Sequence, residues 1–245
     1  MSFRFCCAFL FLVLGSFASA REQEVRTSSA VLQLPHGRIT AEVFEGARGE
    51  KRPAILVLHG AGGTLFDGPE MRRVARHLAA AGNSVYVVHY FERTGSIFAL
   101  DSTMQKNFAT WLETVRESIV AIQTMRGNKA KVGIYGYSLG GFLALAAASD
   151  NPRVGAVVEH AGGVWNNHFE RIGRMPPVLM IHGEEDARVP VAKYTRPLIP
   201  VLRARSAKLE TRFFPGEGHV FTQRAMLQVR EAAVRFFRDA LGSRR

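Results

Sequence analysis

Three short stretches of this chain hold residue types that together could break an acyl bond. Ser138 lies in Gly136-Tyr137-Ser138-Leu139-Gly140-Gly141, straight after the apolar run 132–135 and straight before an alanine-rich helical stretch. A serine flanked by glycines two residues either side, where a strand turns into a helix, is held in a strained backbone with its Oγ projecting above the sheet. Its hydroxyl is a poor nucleophile until a base takes the proton and a third group orients that base. Two later stretches can provide both. The apolar run 178–181 leads into His182-Gly183-Glu184-Glu185-Asp186-Ala187-Arg188-Val189-Pro190, and Phe213-Phe214 lead into Pro215-Gly216-Glu217-Gly218-His219. His219 is the candidate base and Asp186 the candidate acid. Glu184 and Glu185 sit nearer the strand than Asp186 does. Glu159, at the end of the preceding strand-like run, is the more serious rival.

Acyl transfer also needs donors aimed at the oxyanion of the tetrahedral intermediate. The backbone N–H of Leu139, next after the serine, is one. The loop His59-Gly60-Ala61-Gly62-Gly63, after the buried run 53–58, offers the other, with the N–H of Ala61 favoured over that of Gly62. That loop lacks the Gly-Lys-Ser/Thr ending of a phosphate-binding loop. Phe91, Arg93, His160 and Trp165 fall on loops after strands and are candidates to line a substrate pocket. Arg93 has the charge to pair with a substrate carboxylate. Glu159, His160 and His168 form no recognised metal-ligand spacing, so neither metal nor cofactor is expected.

These residues need a frame that brings strand ends together. Residues 31–34 and 39–44 read as a hairpin across Pro35-His36-Gly37. Apolar runs at 53–58, 84–90, 131–137, 154–159, 178–182 and 209–214 read as strands, the central ones buried on both faces. Between them, helical spacing covers 69–81, 103–126, 139–149, 191–205 and 222–241. Strands alternating with helices call for a mostly parallel, twisted sheet with helices on both faces. Only residues 161–177 separate two strands where a cap could be inserted. No large cap domain fits there, and an open, shallow site is expected.

Residues 1–20 stand apart, with Arg4 before a nearly unbroken apolar run and Ala18-Ser19-Ala20 at its end. That is the pattern of a cleaved export signal. It makes residues 21–245 a single mature domain, periplasmic or secreted, with no stable membrane insertion. Sequencing the amino terminus of the exported protein would check the cleavage point. Both cysteines, Cys6 and Cys7, lie in that segment. A mature chain without cysteine excludes a thiol nucleophile, disulfides and thiolate metal sites. The net charge of +11 is spread along the chain rather than gathered in one block, and no nucleic-acid motif accompanies it, so no nucleic-acid partner is expected.

With those motifs in order, the sequence resembles the α/β-hydrolase superfamily, and within it the dienelactone hydrolase family. The likeness is carried by residues 136–141, 182–190 and 214–219, and its strand–helix order spans the mature chain. The resemblance implies the α/β-hydrolase fold with an antiparallel N-terminal hairpin. It also implies a triad in the chain order Ser138, Asp186, His219, with Asp186 at the family's spacing. Two positions depart from the family. Dienelactone hydrolases proper carry a cysteine where this chain has Ser138, and a glutamate where it has Gly60. Both point to a serine-esterase relative acting on a small or medium ester or lactone. A peptidase or acyl-aminoacyl hydrolase with the same triad, and a non-catalytic binder of anionic partners, are the alternatives.

Overall fold

The computed structural model describes residues 24–46, 53–127, 130–164, 166–206 and 208–242. The expected export signal over residues 1–20 and the pocket candidate Trp165 lie outside the described residues. The strands are β1 (Arg26–Leu34), β2 (Gly37–Glu45), β3 (Ala54–Leu58), β4 (Ser84–Val88), β5 (Val132–Tyr137), β6 (Val154–His160), β7 (Val178–Gly183) and β8 (Leu209–Phe214). They form one sheet in the order β1-β2-β4-β3-β5-β6-β7-β8. The hairpin β1–β2 is antiparallel and joins β4 antiparallel. Every pairing from β4 to β8 is parallel. The fold is therefore the α/β architecture with the N-terminal antiparallel hairpin that the alternation implies.

Strand periodicity divides the core into two layers. In β3, Ile55 and Val57 face one side with Val85 and Val87 of β4, while Leu56 and Leu58 face the other. Two long helices cover the first side: α2 (Gly68–Ala80) through Met71, Val74 and Leu78, and α7 (Gln223–Leu241) through Val229, Phe236 and Phe237. Three cover the second: α3 (Asp101–Met125) through Trp111, Val115 and Ile119, α4 (Leu139–Ala148) through Leu143, and α6 (Leu198–Arg205) through Leu202. Thr222, expected as the first residue of the helical run, instead caps α7 by accepting the Ala225 N–H.

The structure differs from the sequence expectations in two elements that border the site. The single helix expected over 191–205 is broken into α5 (Val191–Tyr194) and α6. Pro197 has no N–H to give, and its ring crowds the preceding turn, so the helix restarts there. The glycine-rich loop after β3 contains a short helix, α1 (Gly63–Phe66). Residues 161–177, by contrast, hold a 3-10 turn, Asn166–Arg171, and a single bridge from Met175 to Ser206 among their described residues. Among the described residues, no helical layer is inserted between β6 and β7.

Candidate active site

The turn from β5 into α4 places Ser138 at φ 53°, ψ −120°, a region that costs a non-glycine residue free energy unless its surroundings impose it. The surroundings do so. The Ser138 N–H is held by the His160 carbonyl at 2.8 Å, and the Ser138 carbonyl accepts from Gly141 at 2.8 Å. A Cβ on Gly136 would run into the Gly140 carbonyl, and one on Gly140 into the carbonyls of Leu58 and His59. Only glycines let this turn lie against the end of β3.

Two loops from the far strands reach Ser138. The loop after β7 carries Asp186 and the loop after β8 carries His219. They are tied to each other by Glu184 N–H to Phe214 O at 3.1 Å and Glu185 N–H to Glu217 O at 3.0 Å. Glu217 in turn accepts from Thr222 N–H at 2.7 Å and from its hydroxyl at 2.6 Å. His219 Nε2 lies 2.9 Å from Ser138 Oγ, and its Nδ1 lies 2.7 Å from Asp186 Oδ2. An ionised carboxylate only accepts, so Nδ1 carries the proton and Nε2 is left to take the one on Ser138.

Asp186 is buried, and burial alone would raise its carboxyl. Hydrogen bonds from His182, His219 and the Val189 N–H hold it instead well below the usual carboxylate range. Oδ1 accepts from the N–H of Arg188 at 2.9 Å and of Val189 at 2.7 Å. Oδ2 also faces His182 Nε2 at 3.1 Å. His182 is a contributor whose part the sequence leaves unassigned, although it stands in the same motif. Its Nε2 faces two acceptors, Asp186 and the Val189 carbonyl at 2.8 Å, so it is the protonated nitrogen. Thr195 Oγ1 meets its Nδ1 at 2.8 Å. Burial would lower His182, but the hydrogen bond to Asp186 and the charge of Glu159 raise it.

Glu159 does not reach His219. Its Oε1 accepts the Gly162 N–H at 2.5 Å, and its Oε2 has no partner among the described residues. Burial pushes its pKa up to about 7, against the pull of His182 and of Gly162.

A cavity of about 210 Å³ opens beside Ser138, lined by Ala61, Leu139, Phe142, Val189 and Tyr194, with Asp101, Met104, Gln105 and Arg188 also on its wall. None of the described residues of 161–177 lines it. A larger, apolar cavity of about 330 Å³ shares Phe142 as a wall, but Ser138 does not border it. Ala61 and Leu139, the two expected donors, both face the smaller cavity, and neither N–H has an acceptor among the described residues.

The four pocket candidates are placed elsewhere or lie outside the described residues. Arg93 lies against the β1–β2 turn, its Nη1 2.9 Å from where a Gly37 Cβ would be, and does not border the cavity. Its loop folds back as a 3-10 turn, Tyr90–Thr94, and carries Arg93 toward the hairpin. His160 is fully buried behind the site. It bonds the Tyr135 hydroxyl at 2.8 Å, and burial lowers its pKa to about 3. Trp165 is outside the described residues. Phe91 is also buried, with its ring edge-on to His59. Gly60 leaves no room for the glutamate of dienelactone hydrolases proper. A Cβ there would stand 2.7 Å from Asp67 Oδ2, 3.0 Å from Ser138 Cβ and 3.2 Å from Tyr137 Cδ1.

Among solved structures, the chain is similar to a dienelactone hydrolase-like promiscuous phosphotriesterase from metagenomic libraries. The TM-score is 0.74 at 19% identity, covering 88% of this chain and 99% of the other. A dienelactone hydrolase from Anabaena variabilis gives 0.66 at 18% identity, over 89% and 99% of the two chains. A cold-adapted esterase from an Arctic intertidal metagenomic library gives 0.71 at 15%, over 91% and 98%. No curated protein sequence matches the chain. The sequence model of the dienelactone hydrolase family matches residues 39–241, a span that begins in β2, ends with α7 and includes Ser138, Asp186 and His219. By that match the chain is a hydrolase and belongs to the dienelactone hydrolase family.

Proposed function

We propose that the protein is a serine hydrolase that cleaves a small or medium carboxylic ester or lactone through an acyl-enzyme. The observation that carries this reading is the unbroken relay from Ser138 Oγ to His219 Nε2 at 2.9 Å and from His219 Nδ1 to Asp186 Oδ2 at 2.7 Å. It starts at a serine held at positive φ.

His219 Nε2 takes the hydroxyl proton as Ser138 Oγ attacks the ester carbonyl, and Asp186 stabilises the imidazolium that forms. The carbonyl oxygen, now negative, lies against the N–H groups of Leu139 and Ala61, with the positive end of the α4 dipole adding to them. His219 then returns the proton to the departing alcohol oxygen. Water, deprotonated in its turn by His219, attacks the acyl-enzyme, and Ser138 is restored with release of the carboxylic acid. The cavity volume of about 210 Å³ favours a compact substrate.

A fluorophosphonate label combined with a panel of p-nitrophenyl esters tests this. Labelling at Ser138 with ester turnover is expected, and Ser138→Ala should abolish both, with a loss of about 10⁴-fold or more in kcat. A wild-type protein that takes no label at Ser138 removes the proposal. One that labels but turns over only amide substrates moves it to the peptidase alternative.

A further inference from the structure

Asp67 stands between α1 and α2, where an aspartate would ordinarily cap the following helix with its side chain. It makes no such bond. Its carboxylate turns back to the glycine-rich loop, and Oδ2 accepts the Gly62 N–H at 3.0 Å. The space it fills is defined from both sides. A Cβ on Gly62 would stand 2.6 Å from Oδ1, and one on Gly60 would stand 2.7 Å from Oδ2 and 3.0 Å from Ser138 Cβ. A carboxyl group is thus packed against both neighbours of Ala61, next to Ser138. Burial raises its pKa, while the Gly62 and Gly60 backbone and the charge of His219 oppose that rise.

Two peptide planes meet at Ala61. The first holds the Ala61 N–H, and its carbonyl, Gly60 O, accepts from Gly63 N–H at 3.1 Å and faces His59 Nδ1 at 2.8 Å. In a trans peptide the N–H points opposite the carbonyl, so anchoring Gly60 O sets the direction of the Ala61 N–H. The second plane is gripped at both ends. Its carbonyl, Ala61 O, accepts from Ala99 N–H at 2.7 Å, and its N–H, on Gly62, is the one bound by Asp67. Without the Asp67 carboxylate, that N–H would be left without its side-chain acceptor, and the plane could turn about its Ala61 and Gly62 bonds, the latter unhindered by a Cβ.

We propose that Asp67 is a positioning residue of the oxyanion loop, acting as the acceptor that locks the Gly62 peptide so that the Ala61 N–H stays aimed at the developing oxyanion. This rests on the reading of Ala61 as an oxyanion donor in the proposed hydrolase. A loop that aims a transition-state donor affects kcat and the binding of tetrahedral analogues, and leaves ground-state binding nearly alone.

The test compares Asp67→Ala and Asp67→Asn with the wild-type chain on a short p-nitrophenyl ester, with an arylboronic acid as tetrahedral inhibitor and thermal melting as the check on folding. Asp67→Ala is expected to lower kcat by about 10–10²-fold, with KM within about twofold and boronate affinity falling in step with kcat. Asp67→Asn keeps a carbonyl oxygen for the Gly62 N–H and should recover kcat to within about fivefold of wild type. If the alanine variant fails to fold, Asp67→Ser, too short to reach Gly62, takes its place. An alanine variant with wild-type kcat, an equal loss in the asparagine variant, or a loss carried by KM would each overturn the proposal. A wild-type chain that takes no fluorophosphonate label at Ser138 and turns over no ester removes the serine-hydrolase reading and this inference together. An active wild type with an unaffected Asp67→Ala removes this inference alone.

Discussion

Two buried carboxylates could serve as the third member of the relay, and their surroundings separate them. Asp186 faces four donors, from His219, His182, Arg188 and Val189, and stays ionised well into acid. Glu159 takes one backbone N–H and is pushed up to about 7 by burial. A group that steadies an imidazolium must be charged and must touch it, and only Asp186 meets both conditions. Asp186→Asn should therefore lower kcat by about 10³–10⁴-fold on a p-nitrophenyl ester, while Glu159→Gln should leave it within about threefold. The reverse pattern would transfer the role to Glu159. At this scale the sequence shows that an acid follows β7 and another ends β6. It does not show which one points at His219, because the two stand on neighbouring strand ends and the spacing along the chain is compatible with both.

The elements that hold Ser138 are β3, β5 and α4, and their contact depends on the absence of side chains at two positions. Both Gly136 and Gly140 face backbone carbonyls too closely for a Cβ. Gly140→Ala should force the turn away from β3, at a cost of about 1–3 kcal/mol of stability. It should also slow fluorophosphonate labelling of Ser138, because the Leu139 N–H moves with the turn. Urea unfolding alongside the labelling rate checks this, and a variant matching wild type in both would show the turn to be less tightly seated than described. This part of the site is legible in the sequence because a strand–turn–helix segment is local. The glycine-rich loop is less so. The path of that loop depends on the Ala99 N–H reaching the Ala61 carbonyl from a loop far away in the chain, and within it the Asp67 carboxylate turns back to the Gly62 N–H.

For the molecule as a whole, three buried titratable groups set opposing slopes of stability against pH. His59 and His160 have pKa values lowered by burial from 6.5 to about 4 and about 3. As pH falls below 6.5 the unfolded chain takes up protons there that the folded one refuses, so stability is lost on acidification. Glu159 acts in the opposite sense. Its pKa is raised from 4.5 to about 7, so the folded chain holds a proton that the unfolded one releases between those values, and acidification through that window adds stability. Between about pH 6.5 and 4.5 the two histidines outnumber the glutamate, so these three groups taken together destabilise the fold toward acid. Glu159→Gln removes the compensating group and should steepen the fall by about 1.4 kcal/mol per pH unit in that window. Urea unfolding at a series of pH values reads the slope directly, and an unchanged slope would place the Glu159 pKa near its ordinary value.

The sequence by itself determined the layers, the parallel sheet with its N-terminal hairpin, the strained turn at Ser138 and the placing of Asp186 and His219 on loops after strands. Each follows from a short-range cause: side-chain period, glycine at a tight turn, or a loop at a strand's end. Tertiary structure decided which groups meet. It brought Asp186 rather than Glu159 to His219, added His182 to the same carboxylate oxygen, turned Arg93 toward the hairpin and left His160 buried behind the site. It also sent the Asp67 carboxylate back to the loop instead of capping α2. The physical reason is that the direction of a side chain at a strand's end depends on the stagger and packing of neighbouring strands and loops. Those relations join residues far apart in the chain, and no local period encodes them.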